Sequence, residues 1–146
     1  MDAKLHPIGI IRSALQSRAE CPKQGSEGAP EAWLELKKPY ADALGGLCVG
    51  DQVVLLTWLH KARRRVHRVH PRGDFRAPLQ GVFATRSPDR PNPIGLHEVE
   101  ILELDGSRIR VRPLEVLDRT PVLDIKPVLC CKPASRIKPR KRQPAP

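Results

Sequence analysis

The chain has few aromatic residues, no long apolar run and no regular cysteine spacing, and each absence closes off a class of protein. Aromatics make up 3% of its 146 residues, so a core must be built from Val, Leu, Ile and Ala. No stretch approaches the ~20 apolar residues of a membrane-spanning helix. The opening MDAKLHPIG lacks the apolar segment of a secretory signal, and a soluble, cytoplasmic protein without membrane contact is expected. Cys21, Cys48, Cys130 and Cys131 show no CxxC spacing, which argues against zinc. Cys130 and Cys131 are adjacent, and neighbours close an ordinary disulfide only with strain, so reduced thiols are expected. No strand–GxGxxG–helix unit is present. No apolar strand pattern is followed by an amphipathic helical one, which argues against a doubly wound α/β sheet.

Proline and positive charge are what the chain has in excess. Sixteen prolines argue against a helical bundle, because an interior proline breaks a helix. They suit short strands with ordered connections. A net charge of +10 is concentrated in two stretches without a single acid. One holds Lys61, Arg63, Arg64, Arg65, Arg68 and Arg72; the other holds Lys132, Arg136, Lys138, Arg140, Lys141 and Arg142. Local excess of this kind attracts polyanions, nucleic acid most commonly. For the second stretch a solubilising tail serves equally well, while the first lies beside the middle of the domain and points to phosphate contact. If six cations there met single-stranded phosphates, log affinity would fall with log salt at a slope of roughly −4, at ~0.7 per contact. His67 and His70 stand at i and i+3 and invite a metal, but no third ligand is near them, so a flexible basic loop is expected and no metal.

Periodicity gives an all-β reading. Ile8 to Ile11 forms a first strand, residues 16–30 a polar loop, AWLELK (32–37) an alternating strand, and Val53–Trp58 a buried one after the Gly50-Asp51 turn. The strongest signal is HEVEILELDGSRIRVRP (97–113). Asp105-Gly106 reads as a two-residue hairpin turn, which puts Leu102 opposite Ile109 and Glu103 opposite Arg108. The alternation slips a phase at Ile101-Leu102, which predicts a β-bulge. LEVLD (114–118) and PVLDI (121–125) add two short apolar runs. The expected architecture is a small barrel or sandwich of short, mainly antiparallel strands over residues 1–132, followed by a basic, Pro-rich tail over 133–146 that buries too little to order itself.

One stretch asks for a specific account: GVFATRSPDRPNPIG (81–95). Val82-Phe83-Ala84 reads as a buried strand. Pro91 and Pro93 then fix their own φ and push Arg90 and Asn92 out of the helical region, and Gly95 permits a sharp exit. A stiff loop displaying Arg86, Arg90 and Asn92 suits a carboxylate, a phosphate or a base edge. A proline-rich barrel corner, with its arginines on Asp89 or on carbonyls, is the structural alternative.

GVFATRSPDRPNPIGL, followed by VLDRTPVLDIKP (116–127), resembles the paired signature of the TsaA-like (TrmO) family. The match is collinear through IGIIRS (8–13), the PKQG of the first loop and the strand ending at His60, and runs from Leu5 to Pro127. The resemblance implies a closed β-barrel that binds S-adenosylmethionine without a Rossmann sheet, as a homodimer with the cofactor near the subunit interface. It also implies N-methylation of threonylcarbamoyl-adenosine beside a tRNA anticodon, with tRNA as partner. A methyltransferase of this fold acting on another, small acceptor and a non-catalytic RNA-binding barrel are the alternatives.

Carried across by position, the cofactor pocket draws on Pro22, Lys23 and Gln24, on His60 and Lys61, on Arg86 for the methionine carboxylate, on Leu96 as an apolar wall for adenine, and on Leu114 and Glu115. Arg90, Asn92 and Lys126 fall to the acceptor side or the interface. Asp118 is the candidate proton acceptor, with turn capping before Thr120 as its other reading. Arg63, Arg64, Arg65, Arg68 and Arg72 are the expected RNA phosphate contacts. The chain departs from the family pattern at Arg119, where a turn glycine is usual, at Val128, where an aromatic is usual, and at Cys130-Cys131. Longer bacterial members of the family carry a second domain after the barrel.

Overall fold

A computed structural model describes residues 1–129. The expected tail, its basic cluster, the domain limit at 132 and the Cys130-Cys131 pair lie outside these residues. Eight strands follow one another in the chain: β1 (Gly9–Arg12), β2 (Ala32–Leu36), β3 (Gln52–Trp58), β4 (Arg68–Val69), β5 (Gln80–Gly81), β6 (Ile94–Asp105), β7 (Arg108–Arg112) and β8 (Pro121–Pro127). Six of them close an antiparallel barrel in the order β1-β2-β7-β6-β3-β8, and β4 pairs with β5 as a separate ribbon. Among the described residues the only helical segments are short 3-10 turns.

Alternation dictates the barrel's interior. Ile11, Leu34, Val53, Leu55, Val99, Ile101, Ile109, Val111 and Val122 point inward and are almost wholly buried, joined by Leu114 and Val116 from the segment before β8. Each such side chain contributes about 1.5–3 kcal/mol by leaving water. The core is aliphatic, as the composition requires. Both phenylalanines lie outside it, Phe75 at 84% and Phe83 at 85% exposure.

The β6–β7 hairpin corrects one expectation and meets another. Its two loop residues are Gly106 and Ser107: Asp105 pairs with Arg108, Leu104 with Ile109, and Glu103 with Arg110. The turn thus sits one residue later than Asp105-Gly106, because Gly106, with φ of 60°, takes the first central position, where primed hairpin turns need positive φ. This places Leu104, not Leu102, beside Ile109. The bulge lies at the expected place: the register shifts between Ile101 and Glu103, and Leu102 is the extra residue.

One further expectation fails. Val82–Ala84 is a 3-10 turn with only Val82 buried. Thr85 turns the chain there by directing both its backbone N–H and its hydroxyl onto the Val82 carbonyl, at 3.1 Å and 2.9 Å. The apolar run LEVLD packs without joining the sheet: Leu114 donates its N–H to the Pro30 carbonyl, while Leu114 and Val116 plug the barrel.

Topology decides where everything else goes. Arg12 pairs with Trp33, Ala32 with Val111, Trp58 with Ile94, and Ile10 with Pro121. The long connections 13–31, 59–93 and 113–120 therefore all leave one end of the barrel. The 37–51 segment and the tight hairpin turn leave the other.

Candidate functional site

The loop end is tied together by side chains from all three connections. Asp89, 5% exposed, is the knot of the proline-rich loop. It accepts the Arg63 backbone N–H at 2.8 Å and the guanidiniums of Arg63 and Arg18 at 3.1 Å each. Burial alone would push its carboxyl up, but the hydrogen bonds from Arg18 and Arg63 together outweigh it and hold Asp89 below the usual carboxylate range. Asp118 ties the first loop to the third, accepting the Ser13 N–H at 3.0 Å. Lys23 donates to the Arg72 carbonyl and Arg72 to Glu27, so the first loop also meets the β4–β5 arm.

A second buried polar group is a chain of three. On β6, Gly95 and His97 point inward, and on β3 so does Thr57, which lies opposite Gly95. His97 is 6% and Thr57 0% exposed. The imidazole places Nε2 2.8 Å from the Thr57 hydroxyl and Nδ1 2.6 Å from Glu115 Oε1. Gly95 serves this contact and no sharp exit: it lies within β6, and a Cβ there would stand 2.4 Å from Thr57 Oγ1 and 2.5 Å from His97 Nε2. Cys21 of the first loop feels the same carboxylate. Burial first, then the charges of Glu115 and Glu20, push its thiol up, which keeps it protonated.

The residues expected at the site divide into groups. Pro22, Lys23 and Gln24 lie together in the first loop, directly before Gly25, and Glu115 faces that glycine: a Cβ on Gly25 would meet Glu115 Oε2 at 3.0 Å. His60 and Lys61 stand exposed just past β3, beside the proline-rich loop through the Leu59 N–H to Pro93 carbonyl bond. Burial, then the Lys61 charge, lower the His60 pKa. Arg86 is exposed and has no side-chain partner among the described residues.

Other residues are committed elsewhere. Leu114 is 0% exposed and its side chain belongs to the core. Arg90 is not displayed: it donates to the carbonyls of Ser87 and Val82, each at 2.8 Å, and holds the loop from inside, the structural alternative for that arginine. Arg63 is spent on Asp89. Arg64 lies over the Trp58 ring at 5.1 Å and donates to the Pro91 carbonyl at 2.8 Å, with the exposed Asn92 amide oxygen at 3.4 Å. Arg72 is on Glu27. Of the five expected phosphate contacts, Arg65 and Arg68 keep exposed guanidiniums without partners among the described residues. Lys126 lies on the outer wall opposite Val54, paired with Asp124 at 3.0 Å, away from the loops. Leu96 also points outward, 47% exposed, on the face of β6 opposite to His97.

His97 is the residue that sequence reasoning passed over. Its only signal was an imidazole at an inward-facing position of an otherwise apolar alternation. Sequence separation hides its partners, since Glu115 and Thr57 lie 18 and 40 residues away.

A closed antiparallel barrel of this kind, with a carboxylate set at one mouth by a buried imidazole, is a β-barrel module outside the Rossmann class. Comparison with known proteins narrows this. The tRNA-methyltransferase O N-terminal domain family matches residues 10–131, and the chain belongs to it. A relative from Methanothermobacter thermautotrophicus, described as a "Probable S-adenosyl-L-methionine-binding protein", is 44% identical over 84% of this chain and 87% of its own. The "S-adenosyl-L-methionine-binding protein" of Archaeoglobus fulgidus is 42% identical over 81% of this chain and 84% of its own. The crystal structure of TrmO from Pseudomonas aeruginosa superposes with a TM-score of 0.72 at 32% identity, over 100% of this chain and 66% of that one. This chain spans 60–66% of the length of the solved TrmO chains it matches.

Proposed function

We propose that this chain is an S-adenosylmethionine-dependent methyltransferase that acts on tRNA in the cytoplasm, on the exocyclic nitrogen of threonylcarbamoyl-adenosine beside the anticodon. Membership of the tRNA-methyltransferase O family carries the reading. The convergence of the 13–31, 59–93 and 113–120 connections at one barrel mouth supports it. The donor set fits the cofactor: Arg86 offers an unpartnered guanidinium fork for a carboxylate, and Glu115 offers a fixed acceptor for the nucleoside. Pro22, Lys23, Gln24, His60 and Lys61 line the approach.

When bound, the cofactor supplies an activated methyl group on a sulfonium. The chain's part is to hold the acceptor nitrogen in line with it at close range and to receive the proton that nitrogen loses. Asp118 is our proton acceptor; its Oδ1 is bound to Ser13, and its Oδ2 lies 3.9 Å from the exposed Arg119. Lys61, Arg65 and Arg68 are the phosphate contacts we retain.

The outer wall supports the homodimer reading. Leu96 pairs across β3 with Leu56, and Ile94 with Trp58, leaving an apolar strip with Ile94 44% and Leu96 47% exposed. Leu96 and Glu115 lie on opposite faces of β6, so a cofactor touching both draws them from two subunits. Sedimentation of Leu96→Glu should show monomer where the parent protein is dimeric; a monomeric parent removes this element.

Calorimetric titration with S-adenosylmethionine tests the whole reading. Saturable binding is expected, weakened at least tenfold in Arg86→Ala at unchanged thermal stability. A folded protein that binds none refutes it.

A further inference from the structure

We infer that His97 positions Glu115 for hydrogen bonding to the nucleoside of the cofactor, as the middle member of a Thr57–His97–Glu115 chain. The inference rests on the cofactor reading above. An imidazole and a hydroxyl inside an aliphatic barrel are costly unless every polar atom is paired. Here each is paired, and the set runs in one direction, from the barrel interior to the loop mouth.

Glu115 as a carboxylate only accepts, so Nδ1 of His97 carries the hydrogen and donates it to Oε1 at 2.6 Å. At the other end the ring is anchored by the Thr57 hydroxyl at 2.8 Å, which can donate to or accept from Nε2. Contacts at both nitrogens fix the ring's rotation, and the ring fixes Oε1. The remaining oxygen, Oε2, faces Gly25, the residue that directly follows Pro22, Lys23 and Gln24. The Glu115 side chain retains 16% of its exposure, so the acceptor is held in place without being sealed from solvent. Gly95, the last residue of the RPNPIG stretch, keeps open the space in which Thr57 and His97 meet. Positioning of this kind, by a group behind the ligand-binding one, sets affinity through pre-organisation.

Two near-isosteric variants separate the ends of the ring. His97→Asn retains an N–H close to Nδ1, and His97→Gln retains one close to Nε2 but withdraws the donor from Glu115. Calorimetry would use S-adenosylmethionine, S-adenosylhomocysteine, and the 2′,3′-dideoxy and 6-deamino analogues of S-adenosylhomocysteine. His97→Gln and Glu115→Gln should each weaken S-adenosylhomocysteine about tenfold or more, and the double variant no further. His97→Asn should restore most of the affinity. The loss should vanish for whichever analogue lacks the donor that Glu115 receives. Near-parental binding by His97→Gln, additive losses, or an equal loss for every ligand would overturn the inference. If His97→Gln does not fold, Thr57→Val carries the same test, with a smaller loss of the same analogue dependence. A parent protein that binds no S-adenosylmethionine would overturn the cofactor reading and the inference together; a parent that binds beside an indifferent His97→Gln would remove the inference alone.

Discussion

Arg119→Gly should stabilise the protein. Arg119 has φ of 64°, the left-handed region that costs a residue with a Cβ about 1–2 kcal/mol. The turn cannot relax away from it. Its backbone N–H donates to the Ile11 carbonyl at 2.7 Å, and on either side Asp118 donates to Leu15 at 2.8 Å and Thr120 to Leu117 at 3.2 Å. Glycine keeps all three bonds and removes the strain, but gains freedom in the unfolded chain worth about 0.4–1 kcal/mol. The side chain adds little to lose: it is 77% exposed, with its Nε 3.9 Å from Asp118 Oδ2, a pair worth at most about 0.5 kcal/mol. The net gain is roughly 0.5–1 kcal/mol, or ~1–4 °C in Tm, read by thermal and urea melts. Arg119→Ala removes the same charge, keeps the Cβ, and should stay within about 0.5 kcal/mol of the parent. A glycine variant that melts no higher than the parent, or an alanine variant that gains as much, refutes the reasoning.

Other outcomes follow from the same contacts. Gly95→Ala drives a Cβ into Thr57 and His97 and should cost about 2–4 kcal/mol, overpacking plus a broken buried bond; a urea midpoint equal to the parent's would count against the contact. Asp89 is held below its unfolded pKa of about 3.9, so its stabilisation is complete above that value and is lost as pH falls through the lower, folded one. Melts at stepped pH should therefore show a loss below about pH 4 that Asp89→Asn lacks, the variant being less stable by about 1.5–3 kcal/mol at pH 7; parallel profiles would contradict this. Binding of single-stranded RNA by the described arm should fall with salt at a slope near −2, from three cations at ~0.7 each. A slope near −4 would show that Arg63, Arg64 and Arg72 leave their partners for phosphate.

Much of the barrel was legible because alternation is a local signal. Arg108, Ile109, Arg110, Val111 and Arg112 declare an amphipathic strand wherever they stand, and β2 and β3 follow within a residue of their expected bounds. The phase slip at Leu102 announced a bulge, since an extra residue must appear where inward and outward positions exchange. The hairpin turn was missed by a residue, and the pairing with it by two, because Asp105-Gly106 and Gly106-Ser107 are both acceptable turns, and only the pairing of Leu104 with Ile109 chooses between them. The strand expected at 82–84 failed for a similar reason: an apolar triplet does not reveal that Thr85 and Arg90 will bind the Val82 carbonyl.

By itself, then, the sequence determined the all-β class, the aliphatic core and, through its paired signatures, the family. These depend on neighbours a few residues apart or on motif spacing. Tertiary structure alone decided which charges remain available. Arg63, Arg64, Arg72, Arg86 and Arg90 look alike along the chain, yet Asp89, Pro91, Glu27 and backbone carbonyls claim four of them and leave Arg86 exposed. Only barrel closure brought Thr57, His97 and Glu115 within hydrogen-bond reach. A polar atom's role is set by the partner that desolvates or pairs it, and in a closed antiparallel barrel that partner is usually far away in sequence.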